Sequence, residues 1–336
     1  MTSAPAYVGR LAPAPTGALH LGNARTFLIA WLRARRAGGR LLLRLEDLDH
    51  PKVKPGAAVQ AYRDLAWLGL DWDAGPRAAF PPFADPPGDN DPYIQSHRLG
   101  LYAEVLGDLS RRGFVYPCVC TRKDLDSLLS APNAGEDFLE RRYPGTCRGR
   151  FPDARAAETA SGREPAWRFR VEEGGITSFV DGFKGRQSSV LSEWSGDFPV
   201  ARGGRAGYQL AVVVDDHSLG VTEAVRGDDL LPSTHRQLVL YRTLGLPPPA
   251  FFHLPLVVGP DGRRLAKRHG DTRLSLLREA GHGPEKILGW LAASCGWLSH
   301  PRKITLAEIG EICDFSLLPA DRIVLEAEDL RWLGFL

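Results

Sequence analysis

The stretch Arg10-Leu11-Ala12-Pro13-Ala14-Pro15-Thr16-Gly17-Ala18-Leu19-His20-Leu21-Gly22-Asn23 decides how this chain folds. β-Type residues run from Tyr7 to Leu11, prolines and Gly17 break them, and from Asn23 to Arg35 the apolar residues Phe27, Leu28, Trp31 and Leu32 return at helical spacing. The pattern is a strand, a turn and a helix start. A helix N-terminus presents unpaired backbone N–H groups at the positive end of its dipole, so phosphate chemistry belongs there. His20 adds a side-chain donor, and Gly22 carries nothing that blocks close approach. Read alone, His20 to Asn23 fit an ordinary βα turn with a surface histidine equally well; the flanking Arg10 and the Pro-Thr-Gly turn favour a nucleotide site.

Outward from this turn, Arg40 to Asp49 reads as a buried strand ending in acids, followed by a helix near Ala57 to Leu68. Such βαβα alternation predicts a parallel sheet, with Arg10 to Ala12 and Glu46 to Asp49 together at the carboxyl ends of strands. Glu46 could equally cap a loop or helix. Residues 74–92 read as a flexible surface loop, Ser96 as the cap of a helix from His97 to Arg111, and Phe114 to Cys120 as a strand. Residues 121–195 lack βα alternation and read as an insertion. Tyr208 to Val214 and Val221 to Val225 read as strands, and Ser233 to Leu244 as a helix with Leu238, Leu240 and Tyr241 inward. Helical periods around Ile287-Leu288-Leu291 and Leu306-Ile309-Ile312 close the chain. The expected fold is α/β: a Rossmann-like parallel sheet (1–112 and 196–275) split by an insert (113–195), with a small α-helical unit at 276–336.

A length of 336 residues with 43% hydrophobic content suffices for a full core and two or three domains. The opening Met-Thr-Ser-Ala-Pro-Ala-Tyr lacks a basic, apolar leader, and no run is long enough to span a bilayer. A cytoplasmic protein without a membrane partner is expected. The net charge of +2 places any polyanion contact in local patches: Arg141-Arg142, Arg148-Gly-Arg150, Arg202 to Arg205 and Arg263 to Arg268. Each patch could also be a solvated face. Five cysteines, at 118, 120, 147, 295 and 313, argue against disulfides in a chain without an export signal. Cys295 and Cys313 sit in apolar helical surroundings and read as core.

The opening motif resembles the HIGH signature of class I aminoacyl-tRNA synthetases in the form carried by glutamyl enzymes, with Asn23 in place of the second histidine. That resemblance implies an ATP site at His20, Gly22 and Asn23, with Mg²⁺ accompanying the nucleotide. It further implies a glutamate pocket of Arg10, Leu11, Ala12, Pro13, Ala14, Glu46, Tyr208 and Arg226, in which Glu46 receives the ammonium and the two arginines face a dicarboxylate. A guanidinium fork matches a carboxylate with two parallel bonds. In isolation Arg226 could be a salt-bridge partner of Asp228 or Asp229. The run Gly259 to Gly270 is similar to the KMSKS loop, with Arg264 for the first lysine, Ala266 for the serine and Lys267 at the second lysine position. His20 and Lys267 are therefore the expected catalytic pair.

Cys118-Val-Cys120 precedes an expected helix and Tyr143-Pro-Gly-Thr-Cys147 follows it, so three thiols could meet a metal ion. Spacing alone leaves the fourth ligand open and is also satisfied by buried free thiols. Short glutamyl-type paralogues carry Cys-x-Cys and Tyr-x₃-Cys, and resemblance to them implies one structural Zn²⁺ on Cys118, Cys120, Tyr143 and Cys147. The stretch after Lys267 is short for the anticodon-binding body of an ordinary glutamyl-tRNA synthetase, which directs the resemblance to the glutamyl-Q tRNA(Asp) synthetases. These are ATP-dependent ligases that activate L-glutamate and transfer it to queuosine in the anticodon loop of tRNA(Asp), and a monomer is expected. Three alternatives stay open: a truncated glutamyl-tRNA synthetase charging a tRNA 3′ end, another HIGH-type nucleotidylyltransferase, and a non-catalytic synthetase-derived tRNA-binding protein.

Overall fold

A computed structural model describes residues 6–48, 52–81, 91–121, 124, 142–263, 265 and 272–335. Strand β1 (Val8–Leu11) pairs in parallel with β2 (Arg40–Leu43), Val8 opposite Arg40 and Leu11 opposite Leu43. Helix α1 (Leu21–Arg36) connects them, burying Leu21, Leu28, Ile29 and Leu32 and carrying Arg33, Arg35 and Arg36 at its negative C-terminal end. Helices α2 (Ala57–Trp67) and α3 (Leu99–Arg111) follow. A short 3₁₀ turn, Gln95–Arg98, precedes α3, so Ser96 does not cap it; the Ser96 hydroxyl donates to Asp47 Oδ2 at 2.6 Å. The loop expected over 74–92 is anchored at both ends, because Ala78, Ala79 and Asp91 are buried; its residues 82–90 lie outside the described residues.

The stretch read as an insertion begins with β3 (Val115–Cys118). It continues through α4 (Ala154–Ser161), which Asp153 caps and left-handed Gly162 stops, and β4 (Ala166–Phe169). A hairpin follows, β5 (Ile176–Asp181) against β6 (Gly185–Val190), then α5 (Leu191–Trp194), β7 (Phe198–Arg202) and β8 (Arg205–Ala206). The strands pair in the antiparallel order β3-β4-β7-β8, a sheet that runs on to Ala206. The helix expected between Cys120 and Tyr143 falls mostly outside the described residues.

The stretch read as a strand from Tyr208 to Val214 is instead helix α6 (Tyr208–Ser218). Leu210 to Asp216 are all buried, so the helix has no polar face, and an apolar run without a 3.6-residue period looks like a buried strand. Then come β9 (Glu223–Gly227), α7 (Leu231–Leu244), with Leu240 and Tyr241 buried and Leu238 half-buried, and β10 (Ala250–Leu254), parallel to β9. The Thr222 N–H donates to Val8 O at 2.8 Å, bringing the β9–β10 pair beside β1. Strand β11 (Val257–Val258) leads on to α8 (Leu274–Glu279), α9 (Glu285–Ser294) and α10 (Leu306–Ile312). The end is not purely helical, because β12 (Ile323–Val324) pairs in parallel with β11 before α11 (Ala327–Leu333). One hydrophobic cluster joins α1, α2, β2, β10 and these last helices, with Cys295 and Cys313 buried inside it.

Candidate active site

The ends of β1, β2 and β9 and the N-termini of α1 and α6 surround a cavity of about 1550 Å³. Arg10, Ala12, Pro13, Ala14, His20, Gly22, Asn23, Glu46, Tyr208 and Arg226 all line it. Leu11 does not: its side chain points away into the core, as alternation along β1 requires.

His20 is the N-cap of α1. Its Nδ1 accepts the Gly22 N–H at 3.1 Å, which leaves the ring proton on Nε2. Asn23 closes the capping box through its oxygen, accepting the His20 N–H at 3.2 Å. The amide oxygen thus serves the helix end as an acceptor. A Cβ on Gly22 would stand 3.1 Å from His20 Cε1, so the glycine makes room for the imidazole itself.

Two arginines enter from adjacent strands. Arg10 Nη1 donates to Val225 O at 3.0 Å, and its Nε lies 3.5 Å from Asp216 Oδ1. Arg226 donates through Nε to His253 Nε2 at 3.0 Å and through Nη2 to Thr234 Oγ1 and Gln237 Oε1 at 2.6 and 2.8 Å. It makes no ion pair among the described residues, and Asp228 pairs instead with Lys184 at 3.0 Å. Arg226 Nη1 is buried without a hydrogen-bond partner there. A desolvated cation held by neutral acceptors, with one N–H group unused, is suited to a ligand carboxylate.

Beneath these lies a charge network that sequence reading missed. Fully buried Arg44, just beyond β2, binds Asp216 and, at 2.8 Å, Glu46 Oε1. Burial pushes Asp216 up, but Arg44 and Arg10 more than offset this and hold the carboxyl below its ordinary range. Burial wins at Asp215, which is raised despite Arg44, the Gln95 amide, Arg98 and Tyr102. The signal was available: an arginine inside Leu41-Leu42-Leu43-Arg44-Leu45 and an acid pair closing an apolar run each demand a buried partner.

Lys267, with Arg264 and Ala266, lies outside the described residues. The segment carrying it is flanked by β11 on one side and by Leu274 on the other, whose N–H donates to Leu19 O at 3.0 Å beside His20.

At the cavity's far end stand Cys120 and Tyr143. The Sγ atoms of Cys118, Cys120 and Cys147 lie within 4.8 Å of one another, Cys120 and Cys147 at 3.6 Å. The Tyr143 hydroxyl is 3.3 Å from Cys118 Sγ and 3.7 Å from Cys120 Sγ. A tetrahedral zinc with Zn–S bonds of about 2.3 Å separates its ligands by roughly 3.7 Å, so these donors have both the chemistry and the spacing of a metal site. Arg168 lies over the Tyr143 ring at 3.8 Å and donates to Cys118 Sγ at 3.3 Å, placing a cation against thiols that would carry negative charge.

The profile of a family described as tRNA synthetases class I (E and Q), catalytic domain, matches residues 7–332. A Symbiobacterium thermophilum protein named glutamyl-Q tRNA(Asp) synthetase is 48% identical over 97% of this chain and 98% of its own length. A glutamate–tRNA ligase 2 from Syntrophus aciditrophicus is 41% identical over 97% of this chain and 65% of its own. Among solved structures, a glutamate tRNA ligase from Elizabethkingia meningosepticum, in complex with its amino acid, superimposes with a TM-score of 0.77 at 25% identity, covering 98% of this chain and 69% of the other.

Proposed function

The chain belongs to the class I tRNA synthetases for glutamate and glutamine, and from that premise we propose that it activates L-glutamate with ATP and transfers it to queuosine in the anticodon loop of tRNA(Asp). The observation that carries the choice of acceptor is the 48% identity, over nearly the full length of both chains, to a relative of that name. The choice of amino acid is supported by two buried arginines lining one cavity that Glu46 also lines, a carboxylate for an ammonium group.

In the first step the glutamate α-carboxylate attacks the ATP α-phosphorus in line, and pyrophosphate leaves. His20 Nε2–H and the positive N-terminal end of the α1 dipole take the growing negative charge, and Lys267 follows the departing pyrophosphate. Mg²⁺ bound with ATP neutralises phosphate charge. In the second step a queuosine hydroxyl attacks the activated carbonyl and AMP leaves. Arg202, Arg205 and Arg236 line the cavity toward the cysteine cluster and would contact the phosphates of an unpaired loop. We assign the cysteine cluster with Tyr143 as the ligands of one structural Zn²⁺, residues 113–195 as the insert, and the enzyme to a cytoplasmic monomer.

The test is transfer of labelled glutamate, with ATP and Mg²⁺, to tRNA from cells that make queuosine and from cells that cannot. Label confined to the first pool is the expected result. Label in both pools would mean charging of a 3′ end, and label in neither would mean a tRNA-binding protein.

A further inference from the structure

Arg226 is held by residues outside the set assigned to substrate. Its Nε donates to His253 Nε2, and because a guanidinium cannot accept a hydrogen bond, that imidazole nitrogen must carry a lone pair. The ring proton is then on Nδ1, which lies 2.6 Å from Asp181 Oδ2. The other oxygen, Asp181 Oδ1, accepts three backbone N–H groups, from Phe183, Lys184 and His253, at 2.9, 2.8 and 3.2 Å. Asp181 and His253 are completely shielded from solvent at their side chains. Asp181 closes β5 of the insert's hairpin, 72 residues before His253 in β10.

We propose that Asp181 and His253 are positioning residues for the amino-acid pocket: Asp181 fixes the Nδ1–H tautomer of His253, and the resulting Nε2 lone pair holds the Arg226 guanidinium with Nη1 toward the cavity. This rests on the reading of Arg226 as the group that receives the glutamate side-chain carboxylate. A proton on His253 Nε2 has Thr234 Oγ1 at 2.9 Å to donate to, but it removes the acceptor of the Arg226 Nε–H and sets two donors against each other beside a buried arginine that has no ion-pair partner among the described residues. The carboxylate therefore acts on substrate recognition through a proton position, without touching substrate.

The isosteric change Asp181→Asn isolates this effect. Three backbone donors at Oδ1 keep the amide oxygen there, so the new NH₂ group replaces Oδ2, donates to His253 Nδ1 and forces the ring proton onto Nε2. In glutamate-dependent ATP–pyrophosphate exchange, Asp181→Asn should raise the KM for glutamate about ten- to hundredfold, the range of a lost charge-assisted hydrogen bond, while the KM for ATP and the melting temperature stay near those of the parent. ¹⁵N NMR of the imidazole should report the tautomer change. An unaltered glutamate KM, or equal damage to ATP binding and folding, overturns the positioning role. His253→Leu and His253→Gln check it without touching the hairpin. Leucine should reproduce the glutamate defect and glutamine, which restores an acceptor, should relieve it; the same value for both overturns the proposal. Arg226→Leu separates the two layers, because an unchanged glutamate KM there refutes the pocket reading itself, whereas a raised one beside a normal Asp181→Asn refutes only the relay.

Discussion

At the scale of single residues, the buried polar groups of this protein are arranged as donor–acceptor chains rather than isolated pairs, and each chain decides the protonation of its members. His235 is a second case. The Thr177 hydroxyl gives its one proton to Ser189 O, so it can only accept from His235 Nδ1, at 2.7 Å. Burial, reinforced by His253 nearby, pulls the His235 pKa down to about 4. An unfolded histidine titrates near 6.5, so between pH 6.5 and pH 4 the unfolded chain binds a proton that the folded one refuses, and stability falls as pH drops through that window. The expected loss is roughly 3 kcal/mol from this side chain alone, at 1.36 kcal/mol per unit. Denaturant unfolding of the parent and of His235→Gln at pH 7 and pH 4.5 checks it: the substitution should flatten the pH dependence, and parallel slopes would refute the account. His20, Arg10 and Arg226 were expected together, the arginines through the family resemblance, and all three do line one cavity. His253 and Asp181 were not, since they lie 27 and 45 residues from Arg226 in the chain and no local pattern joins them.

At the scale of elements, local signals told the truth where an element makes its own contacts. The β1–turn–α1 unit carries its cap, its breakers and its apolar period within thirty residues. Helix α6 deceived because its neighbours cover it on all sides, removing the polar face from which helical period is read. The cysteine cluster is intermediate: two short segments supply the donors, and only folding brings Cys118 and Cys120 to Tyr143 and Cys147. On the proposed zinc assignment, Cys120→Ser should lower zinc content from about one ion per chain and reduce stability on the order of several kcal/mol, because the energy of binding a structural metal adds to folding energy. Removing metal from the parent with a chelator should match the variant's melting curve. Full metal content and unchanged melting in the variant would remove zinc from these residues.

At the scale of the whole molecule, the segment after residue 275 is not an appendage. Ile287, Leu288, Trp290 and Leu291 of α9 share one hydrophobic cluster with α1 and β2, and Arg25 of α1 reaches Pro255 O and Ser294 O, tying α1 to the end of β10 and to α9. Ile287→Ala should therefore cost about 2–5 kcal/mol and lower a single cooperative transition that includes α1. A separate early transition with the rest of the molecule intact would show that the end folds alone. The sequence by itself determined the β1–turn–α1 unit with its His20 cap, the parallel pairing of β1 with β2, and the cysteine donors, because in each the chemistry and the backbone signal occupy neighbouring residues. Tertiary structure alone decided that α6 is a helix, that Arg44 neutralises Asp216, and that a hairpin of the insert sets the proton beside Arg226. Those outcomes depend on burial and on pairing between distant strands, and buried charges find their partners in space rather than along the chain.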